Sequence, residues 1–118
     1  MNNPTKRIFV FGSNLAGRHG KGAALYARKN FGAVYGVGYG RTGDAYAIPT
    51  KDETLKTLPL STIQAWCFAF IEYARAHPEL KFVVTPVGCG LAGYSRTQIA
   101  PFFSAMPMNC EYAHTWSE

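Results

Sequence analysis

Cysteine is scarce in this chain: Cys67, Cys89 and Cys110 are too few and too scattered for a disulfide framework or a structural zinc site. Long apolar runs are absent too, since no window approaches the roughly 18 uninterrupted apolar residues of a membrane span. The opening Met-Asn-Asn-Pro-Thr-Lys-Arg lacks the apolar centre of a signal peptide, which leads us to expect a cytoplasmic protein without a membrane partner. Charge is thin, at 16% of residues, and nowhere forms the block of five or more like charges that reads as a nucleic-acid arm or an acidic tail. Acidic residues are the scarcer sign. Seven Asp+Glu against twelve Lys+Arg give a net charge of +5, so an anionic partner is favoured: a phosphate, a nucleotide or a nucleic acid.

What is abundant is core material. With 47% hydrophobic and 14% aromatic residues, a chain of 118 residues can bury a core, and its length suits one domain over 1–118 with no linker or repeat. Arg7 to Phe11 is a short apolar run stopped by Gly12, which predicts a strand buried on both faces. Lys21 to Lys29 reads as a helix opening after Gly20 and stopping before Gly32. Residues 32–43 hold too much glycine for a helix and predict an irregular hairpin or flap.

Asp44 to Ile48 reads as a strand ended by Pro49, and Lys51 to Leu60 as a polar connection. Ser61 and Gln64 then have the spacing of a capping box, and Ile63, Trp66, Cys67, Phe70, Ile71 and Ala74 repeat at helical spacing as one apolar face. That face places Trp66 and Phe70 in the core. His77-Pro78 ends the helix, and Lys81 to Thr85 is a second buried strand, so 44–86 has the strand, helix, strand pattern of a parallel crossover. A short helix over Thr97 to Phe103 and a last strand over Cys110 to His114 complete an α/β architecture with a mixed central sheet.

The twelve glycines cluster at 12–22, 32–43 and 88–93. Gly38-Tyr39-Gly40-Arg41-Thr42-Gly43 matches a dinucleotide fingerprint in letters only, because it precedes a strand where that motif must open a helix. The run from Gly12 follows a strand as a P-loop does, yet Arg18-His19 stands where Lys-Ser/Thr is needed. What survives is physical: a strand, a glycine turn and a helix N-terminus whose N–H groups suit phosphate. Pro86 to Tyr94 offers a second glycine loop between a strand and a helix, and two such loops facing each other can hold a diphosphate. His19, beside the first loop, is read as a phosphate contact or an acid/base, His77 as a helix C-terminal cation, and Cys89 as a small thiol between glycines.

Asn14, Gly20-Lys21-Gly22-Ala23-Ala24, Ile48-Pro49-Thr50-Lys51 and Val87-Gly88-Cys89-Gly90-Leu91-Ala92-Gly93 resemble, in this order, the motifs of macro domains over residues 8–103. The likeness is to the branch of ADP-ribosyl-glutamate hydrolases and DNA-ADP-ribose-removing antitoxins, and to small macro-like proteins of bacteria and their phages. It implies a three-layer α/β/α fold that binds ADP-ribose without metal or cofactor. The two loops (Gly20, Lys21, Gly22 and Ala23; Gly88, Cys89, Gly90, Leu91, Ala92 and Gly93) would enclose the diphosphate and distal ribose, with Asn14 beside that ribose and Tyr94 closing over it. In the hydrolases a lysine attacks the anomeric carbon, assisted by an aspartate in the second loop; Lys51 matches the lysine, while Ala92 replaces the aspartate. No residue matches the aspartate that many macro domains direct at adenine. The resemblance thus implies a binder of ADP-ribose or a related NAD-derived nucleotide, free or on a macromolecule. Three alternatives stay open: hydrolysis of ADP-ribosyl linkages by Lys51, binding alone to sequester a nucleotide signal, and nucleic-acid binding.

Overall fold

The computed structural model describes residues 6–117. Its first strand, β1 (Arg7–Asn14), lies at the centre because its apolar residues face both ways. Ile8 and Val10 point into one core cluster and Phe11 into another, and all three are fully buried. β1 pairs in parallel with β3 (Ala45–Lys51) on one side and with β4 (Lys81–Val84) on the other. A short β2 (Gly40–Thr42) runs antiparallel along β3, and β5 (Cys110–Tyr112) runs parallel to β4. The order β2-β3-β1-β4-β5 is a mixed five-stranded sheet.

Helices cover both faces. α1 (Gly22–Asn30) lies on one through small residues, Ala24 and Ala27, against Phe11, Ala45 and Ala47. α2 (Leu60–Ala76) and the short α3 (Arg96–Ile99) cover the other, where Phe70 packs edge-on to Phe82 and Phe103. The connections therefore run in opposite directions across the sheet, α1 leading from β1 toward β3 and α2 leading from β3 back past β1 to β4. Sheets of this kind open a crevice beyond the strand C-termini where the winding reverses. Here that point is the end of β1.

Several boundaries differ from the sequence reading. β3 runs through Pro49 to Lys51, because β2 reaches only as far as Ala47 and leaves no ladder on that side for the missing N–H to break. α2 starts at Leu60 behind Pro59, whose extended backbone (φ −60, ψ 152) acts as the N-cap, so Ser61 caps nothing. The capping box forms instead at Ser95 and Gln98, the same pattern later in the chain. The last strand stops at Tyr112, and His114 lies in a one-turn 3-10 helix, His114–Ser117, that also carries Trp116. That turn is fixed by the Trp116 indole, which donates to the Val84 carbonyl at 2.7 Å. The predicted last helix splits into α3 and a 3-10 turn, Ala100–Phe103, with Pro101 at its start. The hairpin expected over 32–43 forms instead over 40–47, turning through Gly43 at φ 57, and residues 32–39 lead into it as turn and coil. Of the α2 face all but Trp66 is fully enclosed; Trp66 sits at the flank, half-buried against Tyr39 at a ring distance of 5.2 Å.

Candidate functional site

A cleft of about 910 Å³ opens over the C-terminal ends of the parallel strands. It runs from Lys51 at the end of β3, past Asn14 at the end of β1, to residues 113–115 beyond β5. Buried hydroxyls hold these strand ends. Thr85 donates to the Val10 carbonyl at 2.7 Å, Thr50 to the Ser13 carbonyl at 3.2 Å, and Ser13 to the Gly38 carbonyl. The β1–β3 register shifts between Ser13 and Asn14, which turns the chain outward into the first loop.

That loop is set by Asn14 itself. Its side-chain carbonyl accepts from the Arg18 N–H at 2.9 Å while its amide donates to the Arg18 carbonyl at 3.0 Å. The turn delivers Gly20 and Lys21 to the wall of the cleft and leads into α1 through Gly22 at φ 56. Lys21 is the N-cap but offers no side-chain cap, and no acidic residue stands in the first turn. The N–H groups that open α1 thus meet the cleft without a protein acceptor on their own helix.

Residues 88–92 form the facing wall. Gly88 takes φ 76 where β4 turns out, and the Tyr94 N–H returns to the Gly88 carbonyl at 2.9 Å to close the loop. Asn14, Lys51, the 20–23 run and the 88–92 run all line one cleft; Gly93 and Tyr94 do not. The Tyr94 hydroxyl donates instead to the Leu58 carbonyl at 2.8 Å, tying the second loop to the segment after β3.

The charge of the cleft is one-sided. Arg18, Lys21, Lys51 and Arg96 line it, and among the described residues no aspartate or glutamate does. The acids nearest in sequence to β3 are engaged elsewhere. Asp44 pairs with Lys6 at 3.2 Å, and the Asp52 carboxylate accepts from the Thr54 and Lys56 N–H groups at 2.8 and 3.0 Å. Those hydrogen bonds, that of the Thr54 hydroxyl first, hold Asp52 below the usual carboxylate range. Burial raises the Cys89 thiol, against an opposing effect of Arg96, which disfavours its thiolate form.

On the α1 face of the sheet the cleft deepens into an apolar recess. Phe9 and Val83, cross-strand partners, form its floor, and Tyr26 stands beside Phe9 at a ring distance of 5.4 Å. Near the β5 end, Arg96 donates to the Thr115 carbonyl at 2.8 Å, while its Nε and the Thr115 hydroxyl have no partner among the described residues. Arg18, Arg96, Thr115 and the aromatic recess were not singled out from sequence. Only the Asn14–Arg18 turn carried a local signal, an Asn four residues before an Arg at the mouth of a glycine loop.

His19 contradicts its reading. It is fully buried, edge-on to Phe11 at 5.4 Å and near Tyr35 at 6.1 Å, and it does not line the cleft. Among the described residues neither ring nitrogen has a hydrogen-bond partner; burial lowers its pKa, and the nearby backbone of Val37 opposes that only in part. Its apolar neighbours, Phe11 beneath and Tyr35 above, turned a polar loop residue inward. Among the described residues no cluster of three or more His, Cys, Asp or Glu could hold a metal ion, and no helix is long and apolar enough to cross a membrane.

A mixed five-stranded sheet between helices in this order is the fold of a macro domain. The macrodomain of Mycobacterium tuberculosis DarG has the same fold, with a TM-score of 0.66 over 94% of this chain and 88% of that chain. The two are 20% identical, so the likeness is one of fold. No protein-family model and no curated protein matches the sequence.

Proposed function

We propose that the protein binds ADP-ribose, or a related NAD-derived nucleotide, free or attached to a macromolecule, and holds it without turning it over. The observation that carries this reading is the charge and shape of the cleft: two glycine loops and four cations, with no carboxylate lining it among the described residues. In this reading the diphosphate lies between the N-terminus of α1 and residues 88–92, where backbone N–H groups and Arg18 or Lys21 meet its charge. The adenine enters the recess of Phe9, Val83 and Tyr26, and the distal ribose lies toward Asn14 and Lys51.

Hydrolysis by Lys51 is the second reading, favoured because that lysine lines the cleft. An amine nucleophile must first lose its proton, and an acceptor must take it. Ala92 supplies none, and Asp44 and Asp52 lie outside the lining. Binding alone is therefore the better account. Calorimetric titration with ADP-ribose, NAD, AMP and single-stranded DNA tests it. ADP-ribose should bind about tenfold or more tighter than AMP, which lacks the second phosphate and the distal ribose. Equal affinities, or tightest binding of DNA, would refute the reading.

A further inference from the structure

Arg96 and Thr115 form a pair at the β5 end of the cleft that binding of ADP-ribose leaves unused. Both line the cleft, and the Arg96 guanidinium donates to the Thr115 carbonyl at 2.8 Å. The Arg96 Nε and the Thr115 hydroxyl are enclosed, yet neither has a hydrogen-bond partner among the described residues. Nor does Arg96 pair with a carboxylate among them. A half-buried guanidinium without a counter-charge and an enclosed hydroxyl without a partner each cost stability, and side by side they supply the donors that an anion takes.

Both residues are anchored from outside the cleft. Arg96 opens α3 directly after Ser95, whose capping box with Gln98 fixes the start of that helix, and Ile99 of the same turn is fully buried. Thr115 lies in the 3-10 turn after β5, where the Ala113 N–H and the Trp116 indole both donate to the Val84 carbonyl, at 2.9 and 2.7 Å. Residues 113–116 are thus tied to the end of β4, one residue beyond Val83, the floor of the recess assigned to adenine. The pair stands on the β4–β5 side of β1, whereas Lys51 ends β3 on the other side. It therefore faces the ribose that carries the adenine. That ribose has only neutral hydroxyls, which leave the guanidinium without a counter-charge.

We infer that Arg96 and Thr115 form a second anion subsite, for a phosphate monoester on the 2′ or 3′ hydroxyl of the adenosine ribose, so that the preferred ligand is an ADP-ribose phosphorylated there. The inference rests on the ADP-ribose reading above. Both side chains line the cleft, and a modest rotation of either turns its unpaired donor to a phosphate seated between them, the pairing for which a guanidinium fork is suited. The diphosphate is met elsewhere, at the N-terminus of α1 with Arg18 or Lys21, so the two anion sites take different parts of one ligand. Arg96 and Thr115 are then specificity-determining residues.

The test is a set of calorimetric affinities for ADP-ribose and 2′-phospho-ADP-ribose, and for AMP, adenosine 2′,5′-bisphosphate and adenosine 3′,5′-bisphosphate, which tell the two hydroxyls apart. In the wild type one of the bisphosphates should bind about tenfold or more tighter than AMP, as charge-assisted hydrogen bonds provide. If it is the 2′ compound, 2′-phospho-ADP-ribose should exceed ADP-ribose by a similar factor. The preference should fall to near one in Arg96→Gln, and severalfold in Thr115→Val, which keeps the carbonyl that anchors Arg96, whatever the absolute affinities. Arg96→Lys, with the charge but not the Nε, should retain only part of it. Lys21→Gln should weaken parent and phosphorylated ligands alike and leave the preference as in wild type. Melting points check that the variants fold, and if Arg96→Gln does not, Thr115→Val and Arg96→Lys decide. Neither bisphosphate exceeding AMP overturns the inference. So does a preference that survives in the folded Arg96 and Thr115 variants, which is general attraction to a basic protein, or one that Lys21→Gln abolishes equally. Binding of none of the five compounds refutes the ADP-ribose reading and this inference with it, whereas binding of ADP-ribose with no preference for the added phosphate refutes the inference alone.

Discussion

Gly90→Asp separates a binding role for the second loop from a structural one. Gly90 lines the cleft, has no neighbouring atom within 4 Å of the position its Cβ would take, and does not need positive φ. A side chain there enters open space without strain, so the fold should be unchanged. Gly22 is less suitable, since its φ of 56 makes any side chain costly whatever the space. A carboxylate about 6 Å from a phosphate charge is repelled by about 1–3 kcal/mol, taking an effective dielectric between that of water and the protein surface. Affinity for ADP-ribose should therefore fall about ten- to a hundredfold. Gly90→Asn, of nearly the same size without the charge, should lose far less, and the gap between the two should narrow in about 1 M salt, where screening acts over roughly 3 Å. Calorimetry measures the affinities and a thermal melt checks the fold. A folded Gly90→Asp that binds as tightly as wild type, or an Asn variant as weak as the Asp one, would show that no phosphate lies against this loop.

Lys51→Ala should weaken binding modestly, and hydrolysis of an ADP-ribosylated substrate should be slow or absent in wild type yet rise in Ala92→Asp; robust wild-type turnover surviving Lys51→Ala would put the chemistry elsewhere. Gly38→Ala should destabilise the fold by about 2–4 kcal/mol in a denaturant titration, because the added Cβ would collide with the Asn14 carbonyl and the Leu15 backbone. Burial holds His19 in the folded chain below the ordinary imidazole value of about 6.5, so the unfolded chain binds the extra proton first. Its contribution to stability is therefore complete above about pH 6.5 and is lost as pH falls from there toward the lower folded-state pKa. Melting temperatures between pH 8 and 5 should fall less in His19→Phe than in wild type; parallel curves would show that His19 does not carry the effect.

Much of the scaffold could be read from the sequence because its signals are local. β1 and β4 are short runs of apolar residues too dense to be anything but buried, and five residues of the α2 face recur at helical spacing and are enclosed as expected. Where identical local signals compete, tertiary context decided. Ser-x-x-Gln occurs at Ser61 and at Ser95, but Pro59 had already opened α2, leaving only the second to form a capping box. Pro49 reads as a strand stop until it is known that β2 ends opposite Ala47. The glycine loops were legible because glycine clusters only where backbone must bend or be approached. Arg96 and Thr115 were not: they are 19 residues apart, and only the return of the chain after β5 brings them together.

The uncapped start of α1 has a consequence for what binding does to the protein. α1 is nine residues long, shorter than helices that persist unaided, and its first intrahelical donor is Leu25, which reaches back to Lys21. The N–H groups of Gly22, Ala23 and Ala24 are left to find acceptors outside the helix. An anion seated there finishes the helix as a serine or aspartate would in another protein, so the occupant of the cleft becomes a component of the secondary structure. Occupancy would be written in the exchange of three amides, and the first turn of α1 would be only as stable as its ligand is abundant.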